Sequence, residues 1–382
     1  MLHPAVGSSR RAVGLRLFYR PITSPLGPRN RYTEDSGLVW SDVSRGVILK
    51  FGFKASAEQF APRELLEYSV LAEEVGLDSV WISDHFQPWR HTGGHAPFSL
   101  AWLGALGART HRIIMGTSVL TPTFRYHPSV VAQAFATLGS LFPERVVLGA
   151  GTGESLNEVP SSGLKWPEQK ERTARFREAL RLIKSLWAGE RISFDGEFYQ
   201  TELATIYDRP AKAVPIFIAG AGPFMAKLAG LEGDGFICTS GKKWDLYTET
   251  LLPNLAAGLE ASGRSASTEY DKMIELKVSF DTDRQRALED TRFWGALALT
   301  ADEKMNVEDP LELERLADSL PVERAASRWI VTADADEMVE RIGAYVGLGF
   351  NHLVFHAPGN DQARFLKLFS THVVPRLRQK FG

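Results

Sequence analysis

A single cysteine, Cys238, stands among 382 residues. It excludes an intramolecular disulfide and a cysteine-rich zinc site, and it suits a reducing cytoplasm. Long apolar runs are missing as well. None approaches the ~18 residues a membrane helix needs, so no membrane partner is expected. Nor does one charge dominate: 44 Lys and Arg stand against 46 Asp and Glu, a formal net charge of −2. That balance gives no reason to expect nucleic acid or an anionic surface as partner, and any anionic ligand must be held by a local cluster of cations. Several catalytic motifs are absent too. His85, His91 and His95 lack a ligand spacing and there is no H-E-x-x-H, so no metal is expected. There is no G-x-S-x-G elbow and no full G-x-G-x-x-G spacing with a ribose-binding acid.

What remains is an ordinary globular composition, 44% hydrophobic and 24% charged, able to bury a large core. Residues 1–46 stand apart from it. Seven arginines face three acids there, with Pro, Ser and Gly between and no sustained periodicity. Arg16 and Arg20 interrupt the apolar stretch that an export signal needs after Arg10-Arg11. The segment reads as a disordered N-terminal extension, with a start of translation near Val47 as the companion expectation.

From Val47 the chain alternates apolar runs with helical spacing, and residues 47–382 read as one domain. The runs are Val47–Phe53, Ser79–Ile82, Arg112–Val119, Arg145–Ala150, Pro215–Gly220, Gly235–Cys238, Met273–Val278 and His352–His356. Helical patterns lie between them, at 62–75, 100–108, 168–187 and 336–346 among others. Residues 191–208 read as a surface excursion and about 285–330 as a helical insertion. Eight strands interleaved with helices predict a parallel (β/α)8 barrel of the TIM type, with an open doubly wound sheet as the rival. In such a barrel catalytic groups sit on the loops that follow the strands.

Those loops are where the polar residues gather. After the second strand, Ser83-Asp84-His85-Phe86-Gln87-Pro88-Trp89 puts a carboxylate, an imidazole and an indole together. Asp84 beside His85 offers a base oriented by an acid, and Trp89 a flat apolar wall; on the local residues alone, a histidine hydrogen-bonded at a loop edge is the simpler reading. The fourth strand leads into Gly151-Thr152-Gly153-Glu154, the fifth into Gly220-Ala221-Gly222-Pro223, and the sixth into Thr239-Ser240-Gly241-Lys242. Each glycine cluster alone reads as a tight turn. At successive strand ends, beside His85 and Glu154, they form a candidate site for an anionic cofactor.

Longer segments carry a resemblance. Lys54-Ala-Ser-Ala-Glu58, Ser83 to Arg90, Gly93 to Phe98, Gly116 to Tyr126, Asp234 to Lys242, Thr291-Arg-Phe-Trp294, Lys304, Arg328-Trp-Ile330 and Asn351 to Gly359 resemble the family of F420-dependent glucose-6-phosphate dehydrogenases, within the luciferase-like barrel oxidoreductases. The resemblance runs from about residue 48 to the C-terminus. It implies a homodimeric barrel that binds coenzyme F420, an 8-hydroxy-5-deazaflavin with a phospholactyl-polyglutamate tail. By matching motif, Asp84, Thr121, Thr152, Gly153, Asn157, Ala221 and Gly222 line the cofactor, and Ser118-Val119 stand where the family has a non-proline cis peptide. Thr239, Lys242, Lys304 and Arg328 match the residues that hold the sugar phosphate. Two positions depart from the family pattern: Ala221 stands where a glycine is usual, and Met305 where a histidine often follows the phosphate lysine.

The reading that follows is oxidation of glucose-6-phosphate at C1 to 6-phosphogluconolactone, with a hydride passed to C5 of the deazaflavin. His85 suits the base that takes the hydroxyl proton, Glu154 the group that protonates or stabilises the reduced deazaflavin, and Trp89 a cover over the reacting carbon. The reverse assignment of His85 and Glu154 stays open. The alternatives are another F420- or FMN-dependent barrel oxidoreductase with a different substrate, and a non-catalytic deazaflavin-binding protein.

Overall fold

Short strands with apolar side chains on both faces cannot leave either face in water, and the arrangement that covers both is a closed parallel sheet inside a ring of helices. The computed structural model, which describes residues 48–264, 270–304 and 307–382, has that form. The expectations for residues 1–46 and for Met305 lie outside the described residues. The barrel strands are β1 Lys50–Ala55, β2 Ser79–Ile82, β3 Ile114–Thr117, β4 Val146–Ala150, β5 Ile216–Ala219, β6 Gly235–Thr239, β7 Asp271–Phe280 and β8 His352–His356. Each pairs in parallel with the next, and β8 closes on β1 with Lys50 opposite His352 and Phe53 opposite Phe355.

The elements differ from the sequence pattern mainly at their ends. β3 starts at Ile114 rather than Arg112, whose guanidinium is occupied with the Leu77 carbonyl at 3.0 Å. β7 runs on to Phe280 because its far end pairs with an additional short strand, Ile330–Thr332. The excursion at 191–208 is an antiparallel hairpin, Ile192–Asp195 with Gln200–Ala204. The insertion folds into short helices at Asp290–Ala298, Pro310–Asp318 and Val322–Ala326. Among the described residues no helix is long and apolar enough to cross a membrane.

Strand alternation sorts the side chains into two cores. The larger one fills the space between sheet and helices. The smaller one lies inside the barrel: Trp81 of β2, Val147 of β4, Phe217 of β5, Ile237 of β6, Met273 of β7 and Val354 of β8. Trp81 stacks on Phe217 with ring centroids 5.6 Å apart. It fits because its neighbour on β3 is Gly116, where a Cβ would come within 2.7 Å of the indole. Above this plug, toward the strand C-termini, the same alternation brings in charge. Lys54 of β1, Glu275 and Lys277 of β7 and His356 of β8 turn into a largely buried polar floor. The candidate site stands on that floor.

Candidate active site

β2 ends at Ile82, and the turn that follows from Ser83 is held from several sides. The Asn157 side-chain carbonyl accepts from the Phe86 and Gln87 N–H groups at 2.9 and 3.2 Å. This fixes His85 with Nδ1 3.0 Å from the Gln87 carbonyl and Nε2 3.2 Å from Glu58 Oε1. Glu58, on the segment after β1, is buried and accepts from the Ser83 hydroxyl at 2.5 Å. Burial alone would push its carboxyl up. The His85 ring, the Lys54 ammonium and the Ser83 hydroxyl oppose that, and together they hold it below the usual glutamate range. Nε2 of His85 therefore faces a buried carboxylate that stabilises positive charge on the ring, while Nδ1 lies between the Gln87 carbonyl and, at 3.3 Å, the Asn157 side-chain amide.

The acid that orients His85 is thus Glu58 and not its neighbour in sequence. The reading of Asp84 as that acid is corrected, because its carboxylate points the other way. Ser99 donates to it at 2.5 Å, Arg125 Nη2 at 2.7 Å and the Tyr126 hydroxyl at 3.1 Å. Arg125 also lies 3.4 Å from Glu158, so Asp84 anchors a buried ionic cluster under the same loop. The desolvation of Glu158 outweighs the pull of Arg125 and leaves its carboxyl raised.

Glu154 caps the helix Ser155–Ser162 and brings Oε2 to 4.0 Å from His85 Nε2. Its side chain is 53% exposed, so the protein by itself leaves it open. Trp89 faces His85 with ring centroids 5.9 Å apart. Its indole packs on a small apolar cluster with Leu156, Ala296, Leu299, Leu313 and Ala317, which ties the insertion to the site. Arg90 reinforces that attachment through Asp318 at 2.6 Å and Glu314 at 3.0 Å.

On the other side of Glu154 stand the cations. The Lys304 ammonium lies 5.3 Å from the Trp89 ring centroid, a cation–π distance. Burial and the nearby Arg328 lower its pKa, while Glu154 opposes them. Lys242, at the open rim, is pushed down to about 8, first by the protein around it and then by repulsion from Arg328, Lys277 and Lys304. Arg328 itself is lowered by burial and donates to the Leu297 carbonyl at 2.9 Å. Residues 86 positions apart in sequence, Lys242 and Arg328, are thus near enough to disfavour each other's charge, the condition in which an anion binds well. Thr239, at the end of β6, accepts from the Lys277 ammonium.

The residues assigned to the cofactor lie around the neighbouring strand ends. The Ser118–Val119 peptide is cis, and the Ser118 carbonyl accepts from Lys54 at 2.6 Å. Thr121 is buried against Gly153, whose φ of +84° is the left-handed conformation that favours glycine. Thr152 precedes it, half-buried in the loop after β4. Gly222 caps the helix Pro223–Glu232 with no side-chain partner, and a Cβ there would meet nothing within 4 Å. With Ala221 exposed beside it, that helix start leaves backbone N–H groups open to an anion. The Asn157 amide is directed at the His85 turn, as described above.

Four participants were not foreseen as site residues: Glu58, Lys54, Glu275 and Lys277. Glu275 and Lys277 had a usable signal, since Met273-Ile-Glu-Leu-Lys277 places two charges on the inward positions of an otherwise apolar strand. Glu58 had none beyond its place just after β1, because its burial depends on Ser83 and His85 arriving from β2.

Comparison with known proteins agrees with the barrel fold. The luciferase-like monooxygenase family matches residues 44–352. The F420-dependent glucose-6-phosphate dehydrogenase of Nakamurella multipartita is 65% identical over 334 residues, covering 87% of this chain and 98% of that protein. The protein of the same name from Mycolicibacterium smegmatis is 59% identical over 332 residues, 87% of this chain and 98% of its own. Among solved structures, an F420-dependent secondary alcohol dehydrogenase in complex with an F420-acetone adduct superposes with a TM-score of 0.81 at 31% identity, covering 87% of this chain and 99% of that one. A coenzyme F420-dependent tetrahydromethanopterin reductase from Methanopyrus kandleri, at a TM-score of 0.72 and 20% identity, shares the fold over 86% of this chain and 99% of its own.

Proposed function

We propose that this chain, which belongs to the family of luciferase-like monooxygenases, oxidises glucose-6-phosphate at C1 to 6-phosphogluconolactone with coenzyme F420 as the acceptor. The observation that carries the reading is the convergence of Thr239, Lys242, Lys304 and Arg328 beside the His85–Glu58 pair, with Glu154 between the two groups. A phosphate ester fits the cations, and Trp89, facing both the Lys304 ammonium and the His85 ring, links them to the imidazole. The names of relatives 59–65% identical to this chain support the same substrate and cofactor.

The residues present suit the cofactor. The uncapped helix start at Gly222 offers N–H groups for a phosphodiester, and Ser118, Val119, Thr121, Thr152, Gly153 and Ala221 surround the space between β3 and β5. When bound, the deazaflavin supplies a carbon, C5, that accepts hydride. The protein supplies the rest. His85 Nε2 takes the hydroxyl proton as the hydride leaves C1, and Glu58 stabilises the ring that has gained it. Glu154 stands on the cofactor side as the group that protonates or stabilises the reduced deazaflavin, where bound ligands cover its exposed carboxyl. Trp89 keeps water from the reacting carbon. Asp84 acts from behind, fixing the loop through Arg125 and Tyr126.

A homodimer is part of this proposal. Phe98 and Val130, exposed at the starts of two neighbouring helices, offer apolar surface for it, and sedimentation velocity of the full chain tests it by distinguishing one chain from two. The central assay is loss of the visible F420 band on adding glucose-6-phosphate, with FMN and NADP as control acceptors. Bleaching of F420 alone supports the reading. Turnover with FMN and not F420 would move the chain to the monooxygenase branch of its family.

A further inference from the structure

Lys277 belongs to neither the proton-handling pair nor the three cations of the cluster, yet its buried ammonium in the floor lies near enough to Lys242 and Arg328 to couple to their charges. It donates to Glu275 Oε1 at 3.0 Å and to the hydroxyl oxygen of Thr239. The backbone on both sides is locked. The Lys277 N–H donates to Ser240 Oγ at 2.8 Å, and the Ser240 N–H donates to the Glu275 carbonyl at 2.8 Å. The ends of β6 and β7 are therefore joined at three consecutive points, and Thr239 has little freedom to turn.

An ammonium has donors and no acceptor, so Thr239 Oγ1 can only accept from it. The hydroxyl hydrogen of Thr239 is then left to donate elsewhere, and the hydroxyl presents a donor to whatever occupies the cation cluster. Without Lys277 the same hydroxyl could turn its hydrogen to Glu275 and offer the cluster a lone pair, which repels an anion. The charge of the floor acts in the same sense. Lys54 lies 3.2 Å from Glu275, whose carboxylate it shares with Lys277, and it also faces the Glu58 carboxylate, so Lys277 brings its positive charge under the cluster beside a shared counter-ion.

We infer that Lys277 is a positioning residue of the phosphate subsite: it sets the Thr239 hydroxyl as a donor and adds a fourth positive charge beneath the substrate phosphate. The inference rests on the glucose-6-phosphate reading for the identity of the ligand. The site itself requires only a phosphate group.

The test compares Lys277→Met, Lys277→Gln, Thr239→Val and the double variant Lys277→Met/Thr239→Val. It uses inorganic phosphate binding by calorimetry, which needs no turnover, steady-state kinetics with glucose-6-phosphate, and F420 affinity by fluorescence. Lys277→Met should weaken phosphate binding and raise the KM for glucose-6-phosphate by about 10–150-fold, the range for a lost charge-assisted hydrogen bond. Its kcat should stay within a few-fold and its F420 affinity should not change. Because Lys277 acts through Thr239, the double variant should be little worse than Lys277→Met alone. Lys277→Gln, which keeps an N–H donor without the charge, should fall between wild type and Lys277→Met, and it carries the test if the Met variant fails to fold. A KM and phosphate affinity within twofold of wild type in the folded Met or Gln variant would overturn the inference. So would fully additive losses in the double variant. If the wild type binds phosphate and Lys277→Met does not, while neither oxidises glucose-6-phosphate, the inference stands and the substrate reading falls.

Discussion

The alkaline limb of substrate binding follows directly from the cation cluster. Lys242 is pushed down to about 8 by the surrounding protein and by Arg328, Lys277 and Lys304. Only its protonated form attracts a phosphate dianion, which is itself the dominant species above pH ~6. The favourable interaction is therefore complete below pH 8 and is lost as pH rises through that value. At pH 9 roughly one free molecule in ten carries the proton, so the KM for glucose-6-phosphate should be about tenfold above its value at pH 7. The rise should level off once Lys304 and Arg328 hold the phosphate alone, no higher than the ~10–150-fold expected for one charge-assisted hydrogen bond. The assay is kcat/KM from pH 6.5 to 10 for wild type, Lys242→Met and Arg328→Gln. Lys242→Met should show a raised KM at pH 7 and no limb near 8. Arg328→Gln should bind more weakly throughout but with its limb displaced upward, because the strongest repelling charge is gone. A limb near 8 that survives in Lys242→Met, or one that does not move in Arg328→Gln, would refute the assignment.

Other perturbations probe the floor and the base. His85→Ala should lower kcat by about 10²–10⁴-fold, and Glu58→Gln by a smaller factor, on the order of tenfold or more, with F420 affinity retained in both. An unaffected kcat in Glu58→Gln would leave the imidazole without need of its carboxylate. Glu275→Leu strands Lys54 and Lys277 without their anion and should cost about 3–5 kcal/mol in urea unfolding, much of it recovered when Lys277→Met is added. Glu275 is held well below the usual range, as Lys277, Lys54 and His356 outweigh its burial. Its contribution to stability is thus complete above pH ~4.3 and is lost only as pH falls through its own lower value. Glu275→Gln should accordingly be less stable than wild type at pH 7 and should lack that part of the acid loss. Trp81→Ala should remove the plug of the barrel interior at a cost of about 3–5 kcal/mol, without a change in KM.

The barrel was legible because short continuous apolar runs and helical spacing are local properties, and eight of each leave few ways to cover both faces of every strand. The strand ends that bear His85, Glu154 and Lys242 were legible for the same reason. Partnership was not. Adjacent residues on an extended segment point to opposite sides, so Asp84 turned to Ser99 and Tyr126 while the partner of His85 came from the loop after β1. Inward-facing charge on β7 was readable in principle, since Glu275 and Lys277 alternate with Ile274 and Leu276. What that charge does depends on β1, β6 and β8 arriving beside it, and spacing along one strand carries no such information.

The most direct test of the account is to follow the hydrogen itself. Glucose-6-phosphate deuterated at C1, turned over with F420 by the full chain, should yield reduced F420 carrying one deuterium at C5 and none from solvent. His85→Ala should slow that transfer without changing where the label ends. Reduced F420 without the label, or label released to water, would contradict hydride transfer from the sugar to the cofactor at this site.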